Sequence, residues 1–435
     1  MFETFKNIFS VKDLRKKILF TMFIILLFRL GSFITIPGVN KLAFMNEVGS
    51  SSGLLGTINL ISGGAFSRLS IFAMTIGPYI TASIILNLLQ MVIPSLEKLA
   101  REGEEGKKVL SKYTKYLTIA FSIVQAFALY MSYRSFLVPA LTTGAGVFMG
   151  AALFIISLMA GTALLMWLSD KITEYGIGNG ISIIIFVGII SGAPAAATAL
   201  YGFATGGITN ILIVAAMVIA MVLVIAGVIY MQQAERKLSV NYAKRVVGRK
   251  MYGGQNTHIP IKVSMAGVMP IIFAMSFMMF PSTIISYFTG NNPTGFWGVI
   301  YNIFAIGQGS SWYYLVIYSL IYMLLIIGFT FLYTTFIVNP IEISNQLKAN
   351  GGFMPGVRPG KNTSDYISHV LKCITMVGAI FLSLVAVLPI LLQGFTPISI
   401  TFGGTSVLIV VSVALEVLKN LETQMVSRHY KGFLD

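Results

Sequence analysis

Few side chains in this sequence are of the types that perform enzymatic chemistry, and their spacing assembles no site. The three histidines, His258, His369 and His429, are not spaced as metal ligands, and no general base accompanies the single cysteine, Cys373. All 15 acidic residues fall in loops or at helix ends. An ion-coupled transporter usually needs an ionisable group at mid-membrane. The sequence therefore predicts a passive conduit without a cofactor, not an enzyme.

A glycine cluster is the other candidate for chemistry. Gly176, Gly178 and Gly180 superficially resemble a phosphate-binding loop, but the full spacing, the preceding strand and the downstream acid of that motif are missing. Close packing between helices explains these glycines better. No nucleotide site is predicted.

The segments that surround these residues define the class of protein. Of 435 residues, 56% are hydrophobic and 10% are charged, whereas charged residues make up about a quarter of a soluble protein. Apolar runs of about 18 residues or more predict membrane-spanning helices. Ten spans are predicted: 18–36, 71–93, 116–133, 147–168, 177–195, 208–231, 263–285, 313–337, 370–392 and 401–418. The predicted class is an all-α polytopic membrane protein.

Positive charges are distributed unequally between alternate segments. Of the 30 lysines and arginines, 26 lie in alternate segments beginning with the N-terminus, and the intervening segments carry Lys41, Arg68 and Arg134. This positive-inside pattern places both termini in the cytoplasm.

The first span contains Arg29 and is too long for the core of a cleaved signal peptide. Because a lone charge is costly in lipid, Arg29 is expected to face protein or to reach the interface.

One apolar segment does not span the membrane. Residues 57–70 are too short and too rich in glycine and serine, and they lie on the predicted outer side. Irregular backbone at membrane depth is tolerated only where protein or a water-filled cavity satisfies it. We therefore expect Ile58, Leu60, Ile61 and Phe66 to pack in a cavity among the helices, as a stopper.

Several segments resemble one family. SGGAFSRLSIFAMTIGPYITASII, at 62–85, closely resembles the plug and second helix of bacterial SecY, the pore subunits of protein-conducting channels. Further segments are similar to that family's in the same order: REGEEGKK, ITEYGIGNGISIIIF, VNYAKR, THIPIKVSMAGVMPIIFA, GFMPGVRPG and FGGTSVLIVV. The resemblance covers essentially the whole chain.

The resemblance implies a fold of ten helices in two pseudo-symmetric halves with a plug helix, and a central subunit that passes unfolded secretory proteins across the membrane and releases membrane proteins laterally. The implied units are a cytoplasmic segment at 1–17, a half at 18–200 with its plug at about 57–70, a half at 201–418 with cytoplasmic loops 232–262 and 338–369, and a cytoplasmic tail at 419–435.

A pore ring and a plug follow from the same resemblance. The ring falls on six isoleucines: Ile76, Ile80, Ile181, Ile185, Ile272 and Ile409. Residues four apart share a helix face, so the first two pairs each offer two stacked side chains to a common axis. An aliphatic ring disfavours a continuous water column. The implied plug residues are Asn59, Leu60, Ile61, Ser62, Gly63, Gly64, Phe66 and Arg68.

A lateral gate is implied between the second and third helices on one side and the seventh and eighth on the other. It would contain Thr81, Asn87 and Phe280, with Thr81 facing Phe280 across the seam. Asn87 is polar in an apolar run and would bond either across that seam or within its own half. Pro78 and Pro270 are similarly placed in the second and seventh spans, and each is expected to kink its helix near mid-membrane.

The inner loops supply the candidate partner surface. Loop 232–262 has seven lysines or arginines against one acid, which suits docking to an acidic protein or RNA, although surplus positive-inside charge would explain it too. The resemblance implies contacts with the ATPase SecA or the ribosome at Arg236, Lys237, Arg245, Arg249 and Arg358. It also implies SecE and SecG as partner subunits, signal sequences and unfolded polypeptides as substrates, and the lipid bilayer of the bacterial cytoplasmic membrane as the location.

Two other functions stay open at this point. A ten-span solute permease would show saturable uptake of one solute, and an insertase similar to YidC would have no through-pore. A channel would instead leak ions when its plug is destabilised.

Overall fold

The computed structural model describes residues 11–48, 59, 62–141, 146–242, 245–247, 250–252, 256–289, 294–304, 312–395 and 404–429. The chain is mostly helical within these ranges. Its α-helices are α1 (Lys12–Gly31), α2 (Lys41–Val48), α3 (Gly77–Val92), α4 (Pro94–Arg101), α5 (Glu104–Tyr133), α6 (Gly146–Tyr175), α7 (Gly180–Ala204), α8 (Ile208–Gln233), α9 (Met269–Thr289), α10 (Gly295–Phe304), α11 (Trp312–Ile337), α12 (Pro340–Ala349), α13 (Lys361–Phe395) and α14 (Gly404–His429). Its strands are β1 (Glu235–Tyr242), β2 (Arg245–Val247), β3 (Lys250–Tyr252), β4 (Asn256–Lys262) and β5 (Gly352–Phe353).

Each predicted span overlaps a helix, in the order α1, α3, α5, α6, α7, α8, α9, α11, α13 and α14. By length and hydropathy, six helices in the described part of the chain can cross a membrane, or seven if α3 and α4, bent by 107°, count as one span.

Several helices continue beyond the apolar run on the predicted inner side, and α14 extends to His429. Glu416 therefore lies inside a helix, so the expectation that every acid would lie in a loop or at a helix end is wrong there.

The second and seventh predicted spans begin with turns. Residues 71–76 and 263–268 are turns, and the helices that follow begin at Gly77 and Met269. Pro78 and Pro270 thus lie in the first helical turn, where the missing N–H leaves no intrahelical bond unmade and the fixed φ suits a helix. The expectation that these prolines kink their helices is therefore wrong, because they lie where the helices begin.

Helix contacts organise the molecule into neighbouring layers. In the first part of the chain α3 packs on α5, α5 on α6 and α6 on α7, with α1 against α6 and α7. In the second part α9 packs on α11, α11 on α13, and α13 on α14. The two parts meet where α9 contacts α3 and α5, and where α7 contacts α8 and α14. Apolar side chains from both parts are therefore brought to a common interior.

The two long inner loops, which the sequence predicts only as loops, contain β-strands. β1 pairs antiparallel with β4, from Glu235 opposite Lys262 to Asn241 opposite Asn256. It also pairs antiparallel with β5, which belongs to the other loop, so the strand order is β4-β1-β5. Leu238 and Val240 alternate along β1 and are buried in one apolar cluster, as strand geometry requires. One sheet therefore joins the two inner loops.

Candidate functional site

All six isoleucines of the predicted ring belong to one apolar cluster. Four are buried members, none more than 9% exposed, and Ile80 and Ile181 are half-buried and pack against them. The buried four are Ile76, Ile185, Ile272 and Ile409. They come from the turn before α3 and from α7, α9 and α14, so separate segments of both parts of the chain meet here. These side chains have no hydrogen-bonding group, so the cluster offers nothing to bind water or ions.

The glycine segment before α7 fixes the position of Ile181. The Asn179 side chain caps α7 by accepting a hydrogen bond from the backbone N–H of Ile181 at 3.0 Å. A Cβ on Gly180 would lie 1.9 Å from the carbonyl oxygen of Ser169. Only glycine allows α6 and the start of α7 to approach so closely, which agrees with the packing interpretation for Gly180. Gly178 has φ +69° and no such close contact, so a turn conformation explains it instead.

A small cavity adjoins the isoleucine cluster. It is lined by Phe28, Thr75, Ile76, Ile80, Ile184 and Ile185. Thr75 has φ +48°, a left-handed conformation that is unfavourable for a β-branched residue. The turn that ends at Ile76 is therefore held in a strained shape directly beside the cluster.

The segment predicted as a plug packs on the first part of the chain. From Ser62 to Ile76 it forms turns and one isolated bridge, between Thr35 and Ser70, so the predicted helix is not found over these residues. Asn59 is helical, and its side-chain oxygen accepts a hydrogen bond from the backbone N–H of Ser67 at 2.9 Å. Of the residues expected to pack inside, Ile58, Leu60 and Ile61 lie outside the described residues.

Phe66 is the apolar centre of this segment. It is 1% exposed, and its ring makes edge-to-face contacts with Phe44 of α2 and Tyr133 of α5, with ring centroids 6.1 Å apart in each case. Such aromatic pairs stabilise a core beyond the area they bury. Phe66 is thus buried among the helices, as the sequence predicts.

Two arginines lie beside the same segment. Nη1 of Arg29 donates a hydrogen bond to the carbonyl oxygen of Gly63 at 3.1 Å, so Arg29 faces protein as expected. The guanidinium of Arg68 lies 4.3 Å from the centroid of the Phe33 ring, a cation–π contact. The two positive charges are near enough to repel each other.

The predicted gate residues lie in α3 and α9, two helices that contact each other. Thr81 and Asn87 are half-buried, and the Thr81 hydroxyl donates to the carbonyl oxygen of Gly77 at 3.1 Å, within its own helix. Phe280 is 57% exposed. One apolar cluster contains buried side chains of both helices: Ile84 of α3 with Ile271, Phe273, Ala274 and Met278 of α9. Nothing in the sequence marks these residues, because isoleucine, phenylalanine, alanine and methionine are ordinary residues in any span.

Three of the predicted partner residues lie on or near the three-stranded sheet. Arg236 and Lys237 are exposed on β1, with Nζ of Lys237 3.6 Å from Oε1 of Glu235. Arg358 is exposed five residues after β5, in a loop whose shape is fixed because its carbonyl oxygen accepts a hydrogen bond from the Thr363 hydroxyl at 2.9 Å. The backbone of Arg245 lies in β2, and Arg249 lies outside the described residues.

Lys262 of β4 lies beside Lys419 of α14. The side-chain hydrogen bond with Lys419, followed by partial burial, lowers the pKa of Lys262, while Glu235 and Glu416 act in the opposite direction. Neighbouring positive charges disfavour each other. The inner end of α14 therefore brings a second lysine next to the sheet.

The expectation that no base lies beside Cys373 is wrong. Nε2 of His369, one helical turn earlier in α13, lies 3.8 Å from its sulfur. Both side chains are exposed on the helix surface. In the part of the chain that the structure describes, no group of three His, Cys, Asp or Glu side chains is placed to hold a metal ion.

Comparisons with known proteins point to one family. The family model named SecY matches residues 70–418. The chain is 44% identical to the protein translocase subunit SecY of Halalkalibacterium halodurans and 43% identical to that of Bacillus subtilis, in each case over the whole of both chains. It is 42% identical to that of Thermotoga maritima, over all of this chain and 98% of the other.

Solved structures share the fold. One described as a protein conducting channel matches 95% of this chain and 93% of its own, with a TM-score of 0.67 and 19% identity. A SecY structure concerned with the plug domain and the closed state matches the same shares, with a TM-score of 0.65 and 18% identity. Sec61 in a canine ribosome-channel complex matches with a TM-score of 0.63 and 18% identity, again over 95% and 93%.

Proposed function

Because the chain belongs to the SecY family, we propose that its isoleucine cluster is the constriction of a protein-conducting pore and that residues 57–70 are the plug. The chain is a pore-forming subunit of the Sec translocon, neither a permease nor an enzyme.

The observation that carries the pore assignment is the origin of the six isoleucines. They are far apart in sequence, yet they pack in one cluster that includes residues from both parts of the chain. A lipid-facing isoleucine would be exposed, whereas the least buried of the four core members, Ile272, is only 9% exposed. A closed aliphatic ring keeps water and ions out at rest and can part around a polypeptide without having to break hydrogen bonds.

The plug assignment is supported by the packing of the described part of that segment. Phe66 and Leu69 are buried in an apolar cluster with residues of α5 and α6, and Ala65 belongs to the isoleucine cluster itself. The segment therefore lies directly against the proposed constriction.

The lateral gate is assigned to the α3–α9 seam, with Thr81, Asn87 and Phe280 near it. Contacts here join the proposed halves, residues 18–200 and 201–418, through apolar and small side chains. Such a seam contains few specific polar bonds, so it can open to lipid and close again.

The cytoplasmic partners are assigned to the sheet that joins the two inner loops. Its exposed cations, Arg236, Lys237 and Arg358, suit the acidic surface of the SecA ATPase or the phosphates of ribosomal RNA. A solved structure with the same fold is described as bound to the ribosome. SecE and SecG are the proposed partner subunits, signal sequences and unfolded polypeptides the substrates, and the bacterial cytoplasmic membrane the location, with both termini in the cytoplasm.

Ion conductance of the reconstituted complex tests the pore and plug together. The chain is purified with its partner subunits and placed in planar bilayers, with and without residues 59–68. Deletion should raise the resting conductance while the complex stays assembled. A bilayer that stays tight after the deletion, or saturable uptake of a single solute, would contradict the assignment.

A further inference from the structure

Arg29 and Gly63 connect α1 to the proposed plug by a single hydrogen bond. Nη1 of Arg29 donates to the carbonyl oxygen of Gly63 at 3.1 Å. Arg29 lies in the last turn of α1, in a predicted span where an unpaired guanidinium is costly. The ion pairs found among the described residues involve other cations. Within the part of the chain that the structure describes, the Gly63 carbonyl is the acceptor seen for this guanidinium.

Gly63 is enclosed in a pocket that admits no side chain. A Cβ at this position would lie 2.4 Å from Oγ of Ser191, 2.8 Å from Nη1 of Arg29 and 3.0 Å from the carbonyl oxygen of Gly188. Its φ of +62° is left-handed and also favours glycine. Gly63 thus lies between α1 and α7, against the helix that carries Ile185 of the isoleucine cluster.

Gly64, the next residue, provides an internal comparison. Its φ is +82°, so an alanine there would be strained in the same way as at Gly63. A Cβ on Gly64, however, would meet nothing within 4 Å. Both glycines therefore need a left-handed backbone, but only Gly63 packs against α1 and α7.

We propose that the hydrogen bond from Arg29 to the Gly63 carbonyl holds the plug closed against the wall formed by α1 and α7. We call this contact the latch. The inference rests on the proposed function, since it requires residues 57–70 to be a plug. Displacing the plug breaks a charge-assisted hydrogen bond and leaves the Arg29 guanidinium without its acceptor. The nearby charge of Arg68 does not replace that acceptor, because it repels Arg29.

The test compares resting ion leak of the full complex in proteoliposomes for Gly63→Ala and Gly64→Ala. We expect Gly63→Ala to raise the leak about tenfold or more, the change that losing one hydrogen bond to a charged group produces. Gly64→Ala has the same backbone strain without the wall contact, so it measures the leak that strain in the plug causes by itself, and Gly63→Ala should exceed it. Equal leak from the two variants would overturn the latch, because backbone strain alone would then explain it.

Arg29 itself is tested by Arg29→Gln and Arg29→Lys. Gln removes the charge and should leak like Gly63→Ala, whereas Lys keeps a charged donor and should restore part of the seal. If Arg29→Gln does not assemble, the two glycine variants decide the question alone.

The complex lacking residues 59–68 is the positive control. If it leaks while Gly63→Ala and Arg29→Gln stay tight, the latch is wrong and the pore stands. If the deletion itself stays tight, the proposed plug fails, and the latch with it.

Discussion

Asn241 of β1 lies directly opposite Phe353 of β5, although the two residues belong to different inner loops. Val240, beside Asn241, is fully buried in a cluster that also contains Leu347, Met354 and Ile367. The two loops therefore form one folded unit, and the cations on them have fixed relative positions.

Val240→Ala should loosen both inner loops together. Removing two buried methyl groups costs about 1.6 kcal/mol, at about 0.8 kcal/mol for each. Amide hydrogen exchange should rise in 235–262 and also in 352–358, since the sheet links them. Ser239→Ala, on the exposed face of the same strand, is the control and should change little. Faster exchange confined to the first loop would show that the β1–β5 pairing does not hold the second.

Replacing Ile80 and Ile272 by serine should raise the resting conductance. The change at buried Ile272 removes about 1.5–3 kcal/mol of apolar burial, and the change at half-buried Ile80 removes less. Each introduces a hydroxyl that can bind water in the ring. Ile219→Ser is the matched control, because Ile219 is 61% exposed on α8. Conductance is measured in planar bilayers. The ring assignment is lost if the control leaks as much as the double variant.

A cysteine pair across the seam should trap the gate shut. In a Cys373→Ser background, Thr81→Cys with Phe280→Cys should form a disulfide only when their Cα atoms come within about 7 Å. Oxidation should block transport of a secretory protein, and reduction should restore it. Efficient cross-linking with full transport would place the exit elsewhere.

Ala274→Trp should lower the yield of that disulfide. Ala274 of α9 is fully buried in the apolar cluster that also contains Ile84 of α3. Overpacking a core typically costs about 1–3 kcal/mol, and we expect it here to move α9 away from α3. Ala226→Trp is the control, because Ala226 is exposed on α8. Cross-linking yield is read on denaturing gels. An unchanged yield in Ala274→Trp would contradict the position of the seam.

Arg358→Glu should slow translocation severalfold while the complex stays folded. The side chain is exposed, and exposed charges contribute about 0–1 kcal/mol to stability, so a strong defect reports a lost partner contact. Arg134→Glu reverses an exposed arginine on the predicted outer side and should leave transport unchanged. Transport into proteoliposomes and thermal unfolding are measured together. Normal transport with weakened assembly would give Arg358 a structural role instead.

Thiol labelling should place the sheet and α10 on opposite sides of the membrane. In the Cys373→Ser background, Lys237→Cys should react with an impermeant reagent from the inside, and Phe296→Cys from the outside. Both positions are exposed, so access depends on the side alone. Labelling of both from one side would reject the topology derived from the charge asymmetry.

The sequence by itself determined the class of this protein, its helices and the isoleucines of the candidate site. Apolar runs and charge asymmetry are properties of contiguous segments, so they can be read without knowing what each segment contacts. The proposed ring has a different basis: its six residues lie in motifs that resemble those of one family, and no periodicity would have separated them from other isoleucines.

Only the tertiary structure decided how distant segments meet. β5 is two residues long and has no strand signal of its own, because its pairing depends on β1. α3 starts only at Gly77 because the turns before it pack against α1 and α6. Without these contacts, the apolar run would continue as helix towards the N-terminus. Arg29 was visible as a charge in a span, but its acceptor is a backbone carbonyl, which every residue possesses. No sequence pattern identifies such a partner, and only the fold brings Gly63 within 3.1 Å of it.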